Sequence, residues 1–165
     1  MKFKDFMNNN QLVDLPQNRE AEFRVSVHAI IENNDSILLI KDGRSEQGLE
    51  FPGGGIELGQ TPQEALIREI REETGYDLDE NSIDVINVSS ENYYHGKRDR
   101  YFCGISITFT AQLESEKQHE LQLDSPDEID EVKWVKTDKL LKENIAKYHQ
   151  DSYQKYLEKQ SKNAN

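Results

Sequence analysis

The sequence predicts an α/β domain, a mixed β-sheet sandwiched between α-helices, on three observations. Apolar and polar residues alternate with period two over residues 23–31 and again over residues 101–113, which is the pattern of strands. Residues 61–74 between them show helical spacing with start and stop signals at both ends. Strand-like and helix-like segments interleave along the chain, an order that places helices on both faces of one sheet.

Taken in order, residues 1–21 read as an irregular lead-in with Asn8-Asn9-Asn10-Gln11 and Pro16, packed through Phe3, Phe6 and Leu12. Phe23, Val25, Val27, Ala29 and Ile31 then face one way, and Arg24, Ser26 and His28 the other. Asn33-Asn34-Asp35 is turn chemistry, because Asn and Asp tolerate left-handed backbone. Residues 37–40 form the returning strand of a hairpin, and a polar loop leads to Pro52-Gly53-Gly54-Gly55. Thr61 caps the helix that follows, Pro62 suits its first position, and Glu64 completes a capping box. Gly75 stands where a left-handed C-terminal cap is wanted. Ile83, Val85 and Val88 suggest another strand. Tyr101, Cys103, Ile105, Ile107, Phe109, Ala111 and Leu113 share one face of a long one. Residues 114–131 read as an acidic loop, 132–135 as a short strand, and the chain from Asp138 onward as helical. The expected organisation is a single domain over residues 22–160 and a polar tail at 161–165.

Composition narrows the partners. The 165 residues carry a formal net charge of −12, which argues against a nucleic-acid duplex or an anionic membrane, since both need clustered Lys and Arg. An acidic chain should also repel polyphosphates unless a bound divalent cation inverts the local field. The single cysteine, Cys103, excludes an intramolecular disulfide and fits a reducing compartment. The first 20 residues lack a signal peptide's apolar core, and no stretch approaches the ~20 apolar residues of a membrane span. The expected location is the cytoplasm. A homodimer is compatible with this composition.

The chemistry concentrates in residues 53–76. On a helical wheel Glu69, Glu72 and Glu73 fall within one arc, beside the apolar arc of Leu66, Ile67 and Ile70. Like charges at this spacing repel, so a helix built only for stability would interleave lysines. Clustered carboxylates are what a hard cation such as Mg²⁺ requires. The preceding glycines let main-chain groups approach a ligand closely. A glycine triplet alone is usually a turn, and a Glu-rich helix alone is usually a solvated face. Their joint spacing favours a site.

Residues 54–76 read GGIELGQTPQEALIREIREETGY, and this segment resembles the Nudix box, G-x5-E-x7-R-E-U-x-E-E-x-G-U. Six of its seven fixed positions are present: Gly54, Arg68, Glu69, Glu72, Glu73 and Gly75. The departures are Gln60 in place of the first glutamate and Tyr76 in place of the last aliphatic residue. The resemblance implies the Nudix fold and Mg²⁺-dependent hydrolysis, with Mn²⁺ as the alternative, of a nucleoside diphosphate linked to another group. It implies Glu72 and Glu73 as metal ligands, Glu69 as a further ligand or the base, and the Gly53 carbonyl as a backbone oxygen. Arg68 would be buttressed by residue 60, and Gln60 can accept its hydrogen bond without charge assistance. Some family members place the base on a downstream loop, where Glu120, Asp124, Asp127, Glu128 and Glu131 are candidates. Diadenosine polyphosphates and oxidised nucleoside triphosphates are alternative substrates. Tyr93 and Tyr94 stand 17 and 18 residues beyond the box, as a tyrosine often does in the diadenosine-polyphosphate subfamily. A nucleotide sensor without catalysis is the rival from another class, and the intact glutamates speak against it.

Outside the box, Tyr93, Tyr94, Lys97 and Arg98 belong to the only notable basic cluster. They are either a solvated hairpin tip or a substrate loop, with tyrosine on a base and Lys or Arg on phosphate. His28 has polar parity and reads as a sheet-surface histidine. Cys103 and Trp134 read as packing residues.

Overall fold

The alternation at residues 23–31 becomes β3 (Ala21–Asn33) in a computed structural model that describes residues 1–5, 8, 10–43, 48–123, 129–141 and 144–163. β3 organises the sheet because it has different partners along its length. On one side it runs parallel to β7 (Arg100–Ala111) from Ala21 to Ile31. On the other it pairs antiparallel with β5 (Gly53–Gly55) through Ser26 to His28, and with β4 (Ser36–Asp42) through Glu32 and Asn33. Asn34 and Asp35, at φ 49° and 55°, make the tight β3–β4 turn, in which both central residues need positive φ. The sheet is completed by β1 (Lys2–Asp5), β2 (Gln11–Asp14), β6 (Asp84–His95) and β8 (Ile129–Lys136). The described strands run β2-β1-β6-β7-β3-β4-β8, with β5 beside β3. β1–β6 and β3–β7 are parallel and the other pairs antiparallel, so the sheet is mixed, as expected.

Each face carries a helix. Val27, Ala29 and Ile31 of β3, with Phe109 and Ala111 of β7, bury against Leu66 and Ile70 of α1 (Pro62–Thr74). Burying such side chains contributes roughly 1.5–3 kcal/mol each. Ile30, Ile37, Leu39 and Phe51 pack on the opposite face against Tyr153 and Tyr156 of α2 (Gln150–Asn163). α1 starts and stops where its sequence says. Thr61 and Glu64 form the reciprocal capping box, and Gly75, at φ 73°, closes the helix with its N–H on the Arg71 carbonyl. A Cβ at Gly75 would also run into the His119 carbonyl.

Several elements differ from expectation, each because of a distant partner. The lead-in contains the β1–β2 hairpin, hydrogen-bonded into the sheet through Lys4 and Asp5 opposite Tyr93 and Tyr94. Phe3 is fully buried and meets the Tyr101 ring edge-on at 5.1 Å, whereas Leu12 is exposed; Phe6 lies outside the described residues. β6 runs on to His95 because it pairs with β7 along its length, and Val85 and Val88 are 58% and 59% exposed instead of core. β8 begins at Ile129, three residues early, on pairing with β4. The C-terminal helix starts only at Gln150. Ahead of it Ile145 bridges to Leu49 and the Ala146 N–H donates to the Leu49 carbonyl at 2.8 Å, a link that needs extended chain. Among the described residues no helix is long and apolar enough to cross a membrane.

His28 is a further correction. His28 is half-buried where the polar face of β3 meets the chain leading into α2, and its ring packs against His149 at 4.6 Å. Its Nδ1 lies 3.2 Å from Ser106 Oγ. Burial, then the nearby Arg24 cation, push its pKa from 6.5 down to about 4. The unfolded chain therefore takes up this proton first as the pH falls. The stability His28 confers is complete above about pH 6.5 and is lost as pH drops toward 4, by up to about 3 kcal/mol. His149, held below its ordinary value by burial and by His28, acts in the same direction. Urea unfolding between pH 7 and 4 should show this slope shallower in His28→Gln than in wild type. Parallel slopes would remove His28 as its source.

Candidate active site

The glycine run and the carboxylate helix meet because β5 binds β3 and α1 packs beneath them. Together they wall a cavity of about 690 Å³ that also reaches β6 and β7. The box contributes Gly53, Gly54, Gly55, Arg68, Glu69, Glu72 and Glu73 to its lining, and Tyr93, Tyr94, His95 and Arg98 line it as well. The three glutamates differ. Glu73 is only 8% exposed and accepts the Gly53 N–H at 2.8 Å, which ties the glycine strand to the end of α1. Glu69 lies against Gly54 so closely that a Cβ there would stand 2.5 Å from either carboxyl oxygen. Burial pushes its pKa above the ordinary carboxylate value, opposed chiefly by the Arg68 cation. Glu72 is the most open of the three.

Arg68 is the hub between them. Its guanidinium pairs with Glu69 Oε1 and Glu72 Oε2, both at 2.9 Å, and donates to the Gly55 carbonyl at 3.0 Å. Gln60 Oε1 is its longest partner at 3.4 Å, and that oxygen also accepts the Glu57 N–H at 3.1 Å. Gln60→Glu would shorten the contact and add charge, but beside carboxylates that Arg68 already serves. The expected gain is therefore modest, about 0.5–1 kcal/mol. Thermal unfolding of Gln60→Glu with and without Arg68→Ala tests it, and a gain that survives without Arg68 would refute the pairing.

The Tyr93–Arg98 segment lies along the cavity. Neighbours in β6 project from opposite faces. Tyr93 stacks on Phe102 at 5.2 Å, while Tyr94 tilts against Tyr101 at 4.7 Å and donates to Asp99 at 2.9 Å. The Lys97 side chain lies outside the described residues. So do Asp124, Asp127 and Glu128, although the chain enters that stretch from the cavity wall at Gln122 and Leu123. Glu120 and Glu131 do not line the cavity, and Glu131 pairs with Lys133 at 2.7 Å. Sequence reasoning assigned no role to Arg24, Glu50, Glu91 and Tyr148, which also line it. Burial, with the Glu50 carboxylate beside it, holds the Tyr148 hydroxyl well above its ordinary pKa. Only the polar parity of Arg24 on β3 was available as a signal. The others are brought in by chain crossings.

Residues 22–156 match the NUDIX domain family. An RNA pyrophosphohydrolase from Acinetobacter baylyi is 30% identical over 127 residues, covering 68% of this chain and 73% of that protein. The 8-oxo-dGTP diphosphatase of Escherichia coli is 39% identical over 57 residues, covering 33% of this chain. The chain spans 44% of the length of that protein and 29% of another matched relative. Among solved structures, a MutT NUDIX hydrolase from Burkholderia pseudomallei superposes with a TM-score of 0.57 at 23% identity, covering 73% of this chain and 88% of that one. The likeness shows a shared fold, and the family match encloses the whole box and the strands from β3 to β8, leaving the β1–β2 hairpin outside it. The chain belongs to the Nudix hydrolase family.

Proposed function

We propose that the chain is a pyrophosphohydrolase that uses water to cleave the diphosphate linkage of a nucleoside diphosphate joined to a second group, with Mg²⁺, or alternatively Mn²⁺, as cofactor. One observation carries this reading: Glu69, Glu72 and Glu73 line a nucleotide-sized cavity that Arg24, Tyr93, His95 and Arg98 also line. Members of the family typically depend on a divalent metal. Among the described residues no three His, Cys, Asp or Glu side chains form a ready cage. Mg²⁺ does not require one, since it takes one or two carboxylates and keeps several waters. The residues fit such an ion, since the donors are hard oxygens and Glu69 is buried beside Glu72. Glu72 and Glu73 would hold the ion, with the Gly53 carbonyl as a further donor and Glu69 as either a third ligand or the base. When bound, it supplies charge that neutralises the phosphates and acidifies water.

The chain's own groups do the rest. Glu69, with its pKa raised by burial, is suited to accept the proton of the attacking water. Arg68 orients Glu69 and Glu72 through its two ion pairs. Tyr93 offers a ring to the base, and Arg98 offers a cation to phosphate.

A second reading, hydrolysis of an oxidised nucleoside triphosphate, draws on the similarity to the E. coli 8-oxo-dGTP diphosphatase around the box. A phosphate-release screen separates the two readings, run with Mg²⁺ and Mn²⁺ over nucleoside diphosphate conjugates, dinucleoside polyphosphates and oxidised dGTP. Turnover of a nucleoside diphosphate conjugate, abolished by chelation, is the expected result. Turnover confined to oxidised dGTP favours the second reading. Tight nucleotide binding without turnover of any compound points to the sensor instead.

A further inference from the structure

We propose that Arg24 and Arg98 form a two-armed anion clamp that grips substrate phosphate in the cavity shared with the box glutamates. The proposal rests on the nucleotide-hydrolase reading above and adds a residue that the box does not contain. Arg44 lies outside the described residues. Of the other arginines, Arg19, Arg68, Arg71 and Arg100 are each ion-paired to a carboxylate. Among the described residues the guanidinium groups of Arg24 and Arg98 make no ion pair and no hydrogen bond, and both line the cavity. In a chain with 32 acidic residues against 20 basic ones, an arginine at a cavity wall that no described carboxylate pairs with is poised for an anion from outside, and the one described box carboxylate Arg24 acts on, Glu69, it acts on from a distance without an ion pair.

Geometry places both arms around one patch. Arg24 leaves β3 opposite Gly104 of β7. Gly104 is bare of side chain, and a Cβ there would stand 2.9 Å from the Tyr93 ring. Tyr93 therefore leans over that glycine toward Arg24. The Arg24 head lies over the Phe102 ring, its Cζ 5.9 Å from the ring centre. Its Nη2 would be 3.3 Å from a Cβ on Gly55, so it reaches the loop joined to Arg68. Arg98 arrives from the turn after β6, anchored by its backbone N–H on His95 Nδ1 at 3.3 Å. The two cations act together on both Tyr93 and His95. A cation–π contact with Phe102 leaves the Arg24 N–H groups free to donate to phosphate oxygens as a planar fork, which lysine does not reproduce.

The test is calorimetric binding of α,β-methylene-ADP, a non-hydrolysable nucleoside diphosphate, in Mg²⁺, with the thermal unfolding midpoint of every variant. Arg24→Gln and Arg98→Gln should each weaken binding about ten- to a hundredfold, the range of a hydrogen bond to a charged group. Arg24→Lys should fall between, and all three should unfold near the wild-type temperature. Wild-type affinity in Arg24→Gln overturns the clamp. So does equal weakening in Arg24→Gln and Arg24→Lys with a lowered unfolding temperature, which would make Arg24 a packing residue. If the wild type itself fails to bind the analogue, the nucleotide reading fails and takes the clamp with it.

Discussion

Glu72→Gln should lower kcat by about two orders of magnitude or more at saturating Mg²⁺, on whichever substrate the screen selects, with little change in thermal stability. Glu72 is the more exposed of the two ligands proposed, and its structural bond is to Arg68, which keeps Glu69 and the Gly55 carbonyl as partners. Glutamine retains the size and an acceptor oxygen but not the negative charge a divalent cation needs. Glu73→Gln should lose as much activity and be less stable as well. Its carboxylate is nearly buried and receives the Gly53 N–H, and weakening a buried bond of that kind costs about 1–3 kcal/mol. The pair of variants thus separates chemistry from scaffolding. Steady-state kinetics with a Mg²⁺ titration, alongside thermal melts, reads both. Near wild-type kcat in Glu72→Gln and Glu73→Gln alike would sink the metal assignment.

Gly54→Ala should also inactivate, through Glu69 and without unfolding the chain. An added methyl would meet the Glu69 carboxyl at 2.5 Å, well inside contact distance. The obstacle is the far end of a flexible side chain, so Glu69 swings away and the backbone stays. A displacement of about 1 Å in a catalytic group can cost on the order of a hundredfold in rate. The expected outcome is a kcat roughly a hundredfold lower, a KM within a few-fold of wild type, and a stability cost of about 1 kcal/mol. The decisive comparison is the double variant with Glu69→Gln. If the alanine acts by moving Glu69, the double variant is no slower than Glu69→Gln alone, because residues in contact do not add. Multiplying effects would show that Gly54 matters for another reason, such as approach of the substrate itself.

What could be read without coordinates was whatever is decided within about four residues. Thr61, Pro62, Glu64 and Gly75 bound α1 because a helix end satisfies its orphan N–H and C=O groups with its own neighbours. Glu69, Glu72 and Glu73 share an arc because 3.6 residues make a turn. Asn34-Asp35 turn the chain because both tolerate left-handed backbone. The spacing from Gly54 to Tyr76 was enough for the family resemblance. These local signals also sufficed to expect a mixed sheet between helices, since interleaved elements pack in few ways.

Tertiary structure decided everything that depended on a partner far along the chain. The β1–β2 hairpin exists because β6 offers an open edge beside Tyr93 and Tyr94, and nothing between residues 1 and 20 reports that edge. β6 outruns its own apolar pattern because β7 hydrogen-bonds it to His95. The bridge from Leu49 to Ile145 holds back a helix that local propensity favours upstream of Gln150. His28 packs against His149, 121 positions later, and its polar parity on β3 could not announce that neighbour. The same holds for the cavity: Arg24 became a candidate only when the sheet placed it opposite Gly104, near Tyr93, with no ion pair among the described residues. Side-chain period is a local property of the backbone, whereas burial and pairing belong to whichever surfaces the fold brings together, and for this protein that difference separates the box from the rest of its site.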